Sequence, residues 1–165
     1  MPHLTRSNIH RTSVTHCLLH VAQSLERVPY WLLAIPLRLA VATVFWNSAM
    51  TKLANWDAAL DLFRDEYRVP VLPPGIAAYL AVSIELSMPV LLVLGLGTRP
   101  AAFVLLGMTS VIEIFVYPQA WPTHIQWAAM LLVLLCRGAG RLSLDDLTRR
   151  RWSRSMPSGE SRTGP

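Results

Sequence analysis

Charge is scarce in this chain: 15% of its 165 residues are Asp, Glu, Lys or Arg, 53% are hydrophobic, and mean hydropathy is +0.38. A soluble domain averages about 25% charged residues, so an ordinary water-soluble globule is disfavoured and a single membrane domain is indicated. Cysteine is scarcer still. Cys17 and Cys136 stand far apart and form no CxxC, which leaves a thioredoxin-like dithiol role without support and a structural disulfide with little. There is no phosphate-cradling glycine loop, no histidine pair within one apolar stretch to hold haem, and no nucleophile–base motif, so the chain leans away from being an enzyme. The stretch before Tyr30 is broken by His16, His20, Gln23, Glu26 and Arg27, and so lacks the apolar core of a cleavable signal. The net charge of +5 comes from arginines that flank the apolar stretches. It marks topology and gives no nucleic-acid-binding stripe.

What the chain has instead is four apolar stretches, at about 30–50, 75–96, 101–116 and 121–136. A bilayer core about 30 Å thick needs about 20 helical residues. The last two stretches are short for that, and Tyr117, Trp121 and Trp127 are placed to anchor their ends at the interface. The expected fold is all-α: a four-transmembrane-helix bundle over 30–137, between a cytoplasmic segment 1–29 and a basic tail 138–165, largely disordered by its Arg, Ser, Gly and Pro content. Within 13–27, Val14, Cys17, Leu18, Val21 and Leu25 recur at steps of three and four. This pattern fits a short amphipathic helix on the membrane surface or an extension of the first span. In the first long loop, Asn55 is placed to cap another short helix, with Trp56, Ala59, Leu60 and Phe63 opposite Asp57, Asp61, Arg64 and Asp65. Pro70, Pro73 and Pro74 then impose an extended path. Both tails and the turn holding Arg99 are basic, whereas the turn at 117–122 has no Lys or Arg. Both termini are therefore expected on the cytoplasmic side of a bacterial inner membrane, with the long loop periplasmic.

Four ionisable residues interrupt the apolar stretches: Arg38, Glu85, Glu113 and His124. A charge at mid-bilayer costs roughly 2.5–3.5 kcal/mol on insertion scales, so each is expected to face a partner or a cavity. With about 1.5 Å of rise per residue, Arg38 and Glu85 both fall near mid-span, and antiparallel neighbours are expected to join them as a buried, register-setting ion pair. A second set, Asn47, Lys52, Glu113, Trp121, His124 and Trp127, falls toward the periplasmic side. Glu113 facing His124 makes a candidate site for carrying a proton or for hydrogen-bonding a quinone head group, and a structural polar cluster is the competing reading. Trp121 and Trp127 flank His124 at three residues on either side, which suits a stacking pocket for a flat ring and an interfacial belt equally. One His and one Glu are too few for a metal site. His16 and His20, spaced i, i+4, are weak candidates for copper or zinc, and a solvated helix face accounts for them better.

The run Arg38-Leu39-Ala40 leading to Lys52, the segment Ser83-Ile84-Glu85-Leu86, the turn Leu94-Gly95-Leu96-Gly97-Thr98-Arg99 and a third span ending in Glu113 resemble the DoxX family of small bacterial membrane proteins. The resemblance covers about Ile35 to Leu147. The stretch from Phe115 through Trp121-Pro122-Thr123-His124 to Trp127, with Arg137-Gly138 and Leu142-Ser143-Leu144-Asp145, is similar to a branch encoded beside bufferin-type metal-stress peptides. The resemblance implies a four-helix membrane bundle associated with redox chemistry, since the family is named after a subunit of an archaeal thiosulfate:quinone oxidoreductase. It implies quinone as the candidate cofactor, the lipid bilayer and other membrane redox or metal-stress proteins as partners, and a homo-oligomer as a further option. Arg38, Lys52, Glu85 and Arg99 are its family-like polar positions. The cysteine pair of thiol-active relatives is missing. Three expectations follow: a non-catalytic accessory subunit that contacts quinone or relays protons, a carrier of copper or a metallophore peptide, or a structural scaffold.

Overall fold

The structure, a computed structural model, describes residues 20, 23–24, 26–67, 72–140 and 143–145. Helix α1 spans Tyr30–Ala54 and α2 spans Trp56–Asp61, continuing as a π-helical turn over Leu62–Tyr67. Helix α3 spans Pro74–Leu94. Helix α4 spans Thr98–Val111 and also continues as a π turn, Ile112–Val116. A 3₁₀ turn, Pro118–Ala120, leads into α5, Trp121–Arg137. Helices α1, α3 and α4 with its π extension are long and apolar enough to cross a membrane, at 25, 21 and 19 residues. Helix α5 has 17 residues, about 26 Å of rise, and packs antiparallel on α4. The first span runs four residues past its expected end, which places Lys52 inside α1. The expected surface helix at 13–27 and the tail beyond Asp145 lie mostly or wholly outside the described residues.

Local chemistry sets the helix ends. Pro74 opens α3, where its missing N–H has no partner to lose. Gly95, in the left-handed region at φ 67°, closes the same helix. The Leu96 N–H bonds the Leu91 carbonyl at 3.0 Å and the Gly95 N–H bonds that of Leu92 at 3.1 Å, the double closure of a Schellman motif. Asp145 then caps the start of α4, its two carboxylate oxygens accepting the Gly97 and Thr98 N–H groups at 2.8 and 3.2 Å. Asn55 caps α2, its Oδ1 accepting the Ala58 N–H at 3.1 Å.

Arg38 belongs to this end of the molecule, which corrects the expected pairing with Glu85. Its Nε donates to the Leu92 carbonyl at 2.6 Å, Nη2 donates to that of Val93, and Nη1 to that of Ala139 at 3.3 Å. Leu92 and Val93 are among the last carbonyls of α3, which have no partner within their own helix. A cation there also meets the negative end of the helix dipole. The same packing explains Gly95: a Cβ on it would lie 2.7 Å from the Ser143 Cβ and 3.0 Å from Arg38 Nη2.

The core is in two parts. Val41, Phe45, Leu92, Ala102, Leu105 and Leu131 fill the half of the bundle nearest the Gly95–Gly97 turn. Toward the long loop, Ala77, Ala78 and Ala81 present a small-residue face on α3 that receives Phe63 of the loop, with Tyr67 and Met108 against it. Between these two packings the interior is hollow.

Candidate functional site

Lys52 makes the ion pair with Glu85. Its Nζ donates to Glu85 Oε1 and Oε2, both at 2.8 Å, and to Ser48 Oγ at 2.7 Å, while Ser48 Oγ donates to Oε1 at 3.0 Å. Side-chain exposure is 10% for Lys52 and 2% for Glu85. The choice of partner follows from helix direction. In any α-helix the Cα–Cβ bonds tilt toward the N-terminus. Since α1 and α3 run antiparallel, Lys52 leans down α1 toward Glu85, and Glu85 leans along α3 toward Lys52. Arg38 leans down α1 as Lys52 does, which from its lower position carries it away from Glu85. It sits level with Leu92 and Val93, a span of seven to eight residues or about 11 Å of rise from Glu85.

The second pair joins α5 to the π turn of α4. His124 Nδ1 lies 2.6 Å from Glu113 Oε2, with His124 6% exposed. A carboxylate that is ionised only accepts, so with Glu113 in that form the contact takes an Nδ1–H tautomer and leaves Nε2 to a ligand. Among the described residues Nε2 has no hydrogen-bond partner. Trp127 packs on the imidazole, ring centroids 5.1 Å apart, and edge-on against Phe45 at 5.9 Å.

One cavity of about 400 Å³ is bordered by Ser48, Lys52 and Glu85 and also by His124 and Trp127. Its remaining walls are largely apolar, from Leu80, Ala81 and Ile84 on α3 to Met108 and Ile112 on α4. A smaller hollow of about 190 Å³, also bordered by His124, is lined by Glu113 and Trp121. His124 therefore borders both hollows, and Glu113 the smaller one. Over the loop end of the larger one, Phe63, Tyr67 and Tyr117 form a chain of edge-packed rings, with centroid spacings of 4.7 and 5.7 Å. The Tyr117 hydroxyl donates to Glu66 Oε1 at 2.6 Å, which fastens the long loop to the α4–α5 turn. Burial first, and the Glu66 carboxylate second, push the Tyr117 phenol pKa well above its ordinary value. Burial likewise raises that of Tyr67, and its hydrogen bond with Tyr117 works against the rise.

The family model for DoxX matches residues 33–118, just over half of the chain. The chain belongs to the DoxX family. It is a membrane protein of that family with apolar helices in contact with lipid. An uncharacterized protein of Haemophilus influenzae is 29% identical over 126 residues, which cover 69% of this chain and 82% of that one. No solved structure matches the chain. The DoxX match contains Arg38, Lys52, Glu85 and Glu113 and ends before Trp121, His124 and Trp127, so the second pair straddles its boundary.

The remaining residues singled out in the sequence fall as follows. Asn47 is exposed on the outer face of α1, its backbone carbonyl accepting the Thr51 hydroxyl at 2.9 Å, and it does not border the cavity. Trp121 borders only the smaller hollow and is 56% exposed. Arg99 is exposed and donates to the Cys136 carbonyl at 3.2 Å, where it ties α4 to the end of α5. His20 is exposed and His16 lies outside the described residues, and among the described residues no three His, Cys, Asp or Glu side chains converge. Sequence reasoning missed Ser48, Tyr67, Glu66 and Asp145. Ser48 is one helical turn before Lys52, so its place beside the lysine was open to a face count. Nothing local in the sequence marks the other three, whose partners lie 47 to 51 residues away or, for Tyr67, across the loop end.

Proposed function

We propose that this DoxX-family protein is a non-catalytic accessory subunit of a membrane redox or stress-response system, and that its cavity holds the head group of a quinone. The observation that carries this reading is that the buried Lys52–Glu85 ion pair and His124, the inner member of the second pair, border one largely apolar cavity. The donor set fits the group. Apolar walls suit the ring face, and Nε2 of His124 suits either form of the head: a neutral imidazole accepts from a quinol hydroxyl, and an imidazolium donates to a quinone carbonyl. A bound quinone supplies two-electron, two-proton chemistry.

The chain's own residues hold the head and manage protons. Lys52, its protons directed at Ser48 and Glu85, contributes a fixed positive charge and a rigid wall. Glu113 orients the imidazole and takes up its positive charge when it is protonated. π turns occur often at functional sites, and both π turns among the described residues border the cavity. With four spans and both termini cytoplasmic, as the arginine distribution favours, the cavity opens in the periplasmic half of an inner-membrane bundle. Purified wild-type protein is expected to retain quinone on extraction, with Glu113→Gln and His124→Ala both lowering the retained amount. Equal quinone content in wild type and both variants would sink the reading.

A further inference from the structure

We infer that the cavity is loaded from the bilayer, through a gap between α3 and α4 framed by Leu80 and Val111, and that its occupant is a tailed amphiphile. The polar head goes in and the apolar tail stays among the lipid chains. This rests on the cavity reading above and adds the route and the ligand class.

Three observations support the lateral route. First, the lining reaches the outer surface of the bundle between α3 and α4. Leu80 on α3 and Val111 on α4 both border the cavity, yet they are 48% and 39% exposed. Leu80 lies six residues, about 9 Å of rise, inside the start of its helix. Both residues belong to spans apolar enough to cross a membrane, so the exposed side of the gap faces acyl chains. Second, the loop end of the cavity, where Leu72 is 42% exposed, is overlaid by aromatic rings. Phe63 is 5% exposed, Tyr67 packs between it and Tyr117, and the hydrogen bond from Tyr117 to Glu66 holds the arrangement from outside. Third, the opposite end is closed by tight packing of Leu92, Ala101, Ala102 and Leu105, where α3 and α4 approach their shared turn.

The size of the space sets the ligand class. A volume of about 400 Å³ is near the lower end of the roughly 300–1,000 Å³ typical of small-molecule sites. That accommodates a substituted ring. A chain of several isoprene or acyl units has to lie elsewhere, and the gap at Leu80 is where it leaves. Charge is sorted the same way: Lys52, Glu85 and His124 are on the inner wall, and the residues framing the gap are apolar.

The test compares two quinones that share a head and differ in the tail, ubiquinone-10 and tailless 2,3-dimethoxy-5-methyl-1,4-benzoquinone. Binding of each is measured by tryptophan quenching in nanodiscs carrying wild type, Leu80→Trp or Leu80→Ala. The bulky ring at position 80 is expected to weaken ubiquinone-10 binding on the order of tenfold, as overpacking does, and to leave the tailless ring unchanged. Leu80→Ala, which removes apolar contact with the tail, is expected to weaken ubiquinone-10 selectively too, which keeps the test decisive if Leu80→Trp fails to fold. If Leu80→Trp folds and both quinones weaken equally, or neither does, lateral loading is overturned while the quinone site stands. If Leu80→Ala weakens both quinones equally, or neither, lateral loading is overturned as well. If wild type binds neither quinone, the cavity reading itself fails and this inference with it.

Discussion

Glu85 accepts three hydrogen bonds in a position almost closed to solvent, two from Lys52 and one from Ser48. A buried carboxylate so placed is satisfied only while its cation is present, and removing one partner of such a pair costs about 3–5 kcal/mol. Lys52→Met is therefore expected to lower the unfolding free energy in detergent by about that amount. Adding Glu85→Met to it is expected to recover most of the loss, because two apolar groups of similar volume replace two desolvated charges. A double-mutant cycle on thermal unfolding checks both statements. The same cycle on Arg38→Ala and Glu85→Met is expected to be additive within about 0.5 kcal/mol, since their side chains lean away from each other over about 11 Å of rise. Strong coupling in the Arg38 cycle, with none in the Lys52 cycle, would reverse the assignment of partners.

The elements are held in place mainly at their ends. Arg38, Gly95 and Asp145 come from α1, the α3–α4 turn and the chain after α5, and together they close the end of α3 and open α4. Gly95 combines a left-handed backbone with the closest contact there, 2.7 Å from a hypothetical Cβ to Ser143. Gly95→Ala is accordingly expected to destabilise by about 1–3 kcal/mol. Asp145→Ala, which removes the acceptor for two N–H groups, is expected to cost about 1 kcal/mol. Chemical denaturation in mixed micelles distinguishes them: a Gly95→Ala variant as stable as wild type would show that the chain after α5 yields without cost. At the other end the ordinary α ladder gives way to π turns at Leu62–Tyr67 and Ile112–Val116. The hollow interior lies beside them.

At the scale of the whole molecule, three helices among the described residues are long enough to span and α5 is slightly shorter, so the topology turns on whether α5 crosses. The proposed arrangement has it cross, with the long loop on one side of the membrane and both termini on the other. In a background with Cys17→Ser and Cys136→Ser, Asp61→Cys is expected to react with an impermeant maleimide from outside intact spheroplasts, and a cysteine appended at the C-terminus only after lysis. Labelling of the terminal cysteine in intact spheroplasts would place α5 on the surface. Much of the architecture was legible in the chain. The apolar runs mark α1, α3, α4 and α5 to within a few residues, because lipid-facing helices must be apolar over their length. The His124–Glu113 contact was legible too, since a short turn joins the helices that carry them. The Lys52–Glu85 pair was not. Depth counted along a helix axis ignores the tilt of each side chain toward its own N-terminus, and that tilt selects Lys52 over Arg38.

The sequence by itself determined the membrane setting, the helical class and the residues too polar to face lipid. These follow from local composition and periodicity, which each segment carries alone. Only the tertiary structure decided which cation Glu85 takes, that Arg38 and Asp145 bind helix ends, and that the Lys52–Glu85 pair and His124 border one cavity beneath three aromatic rings. Those outcomes depend on the relative direction and depth of helices far apart in the chain, and no local signal encodes either.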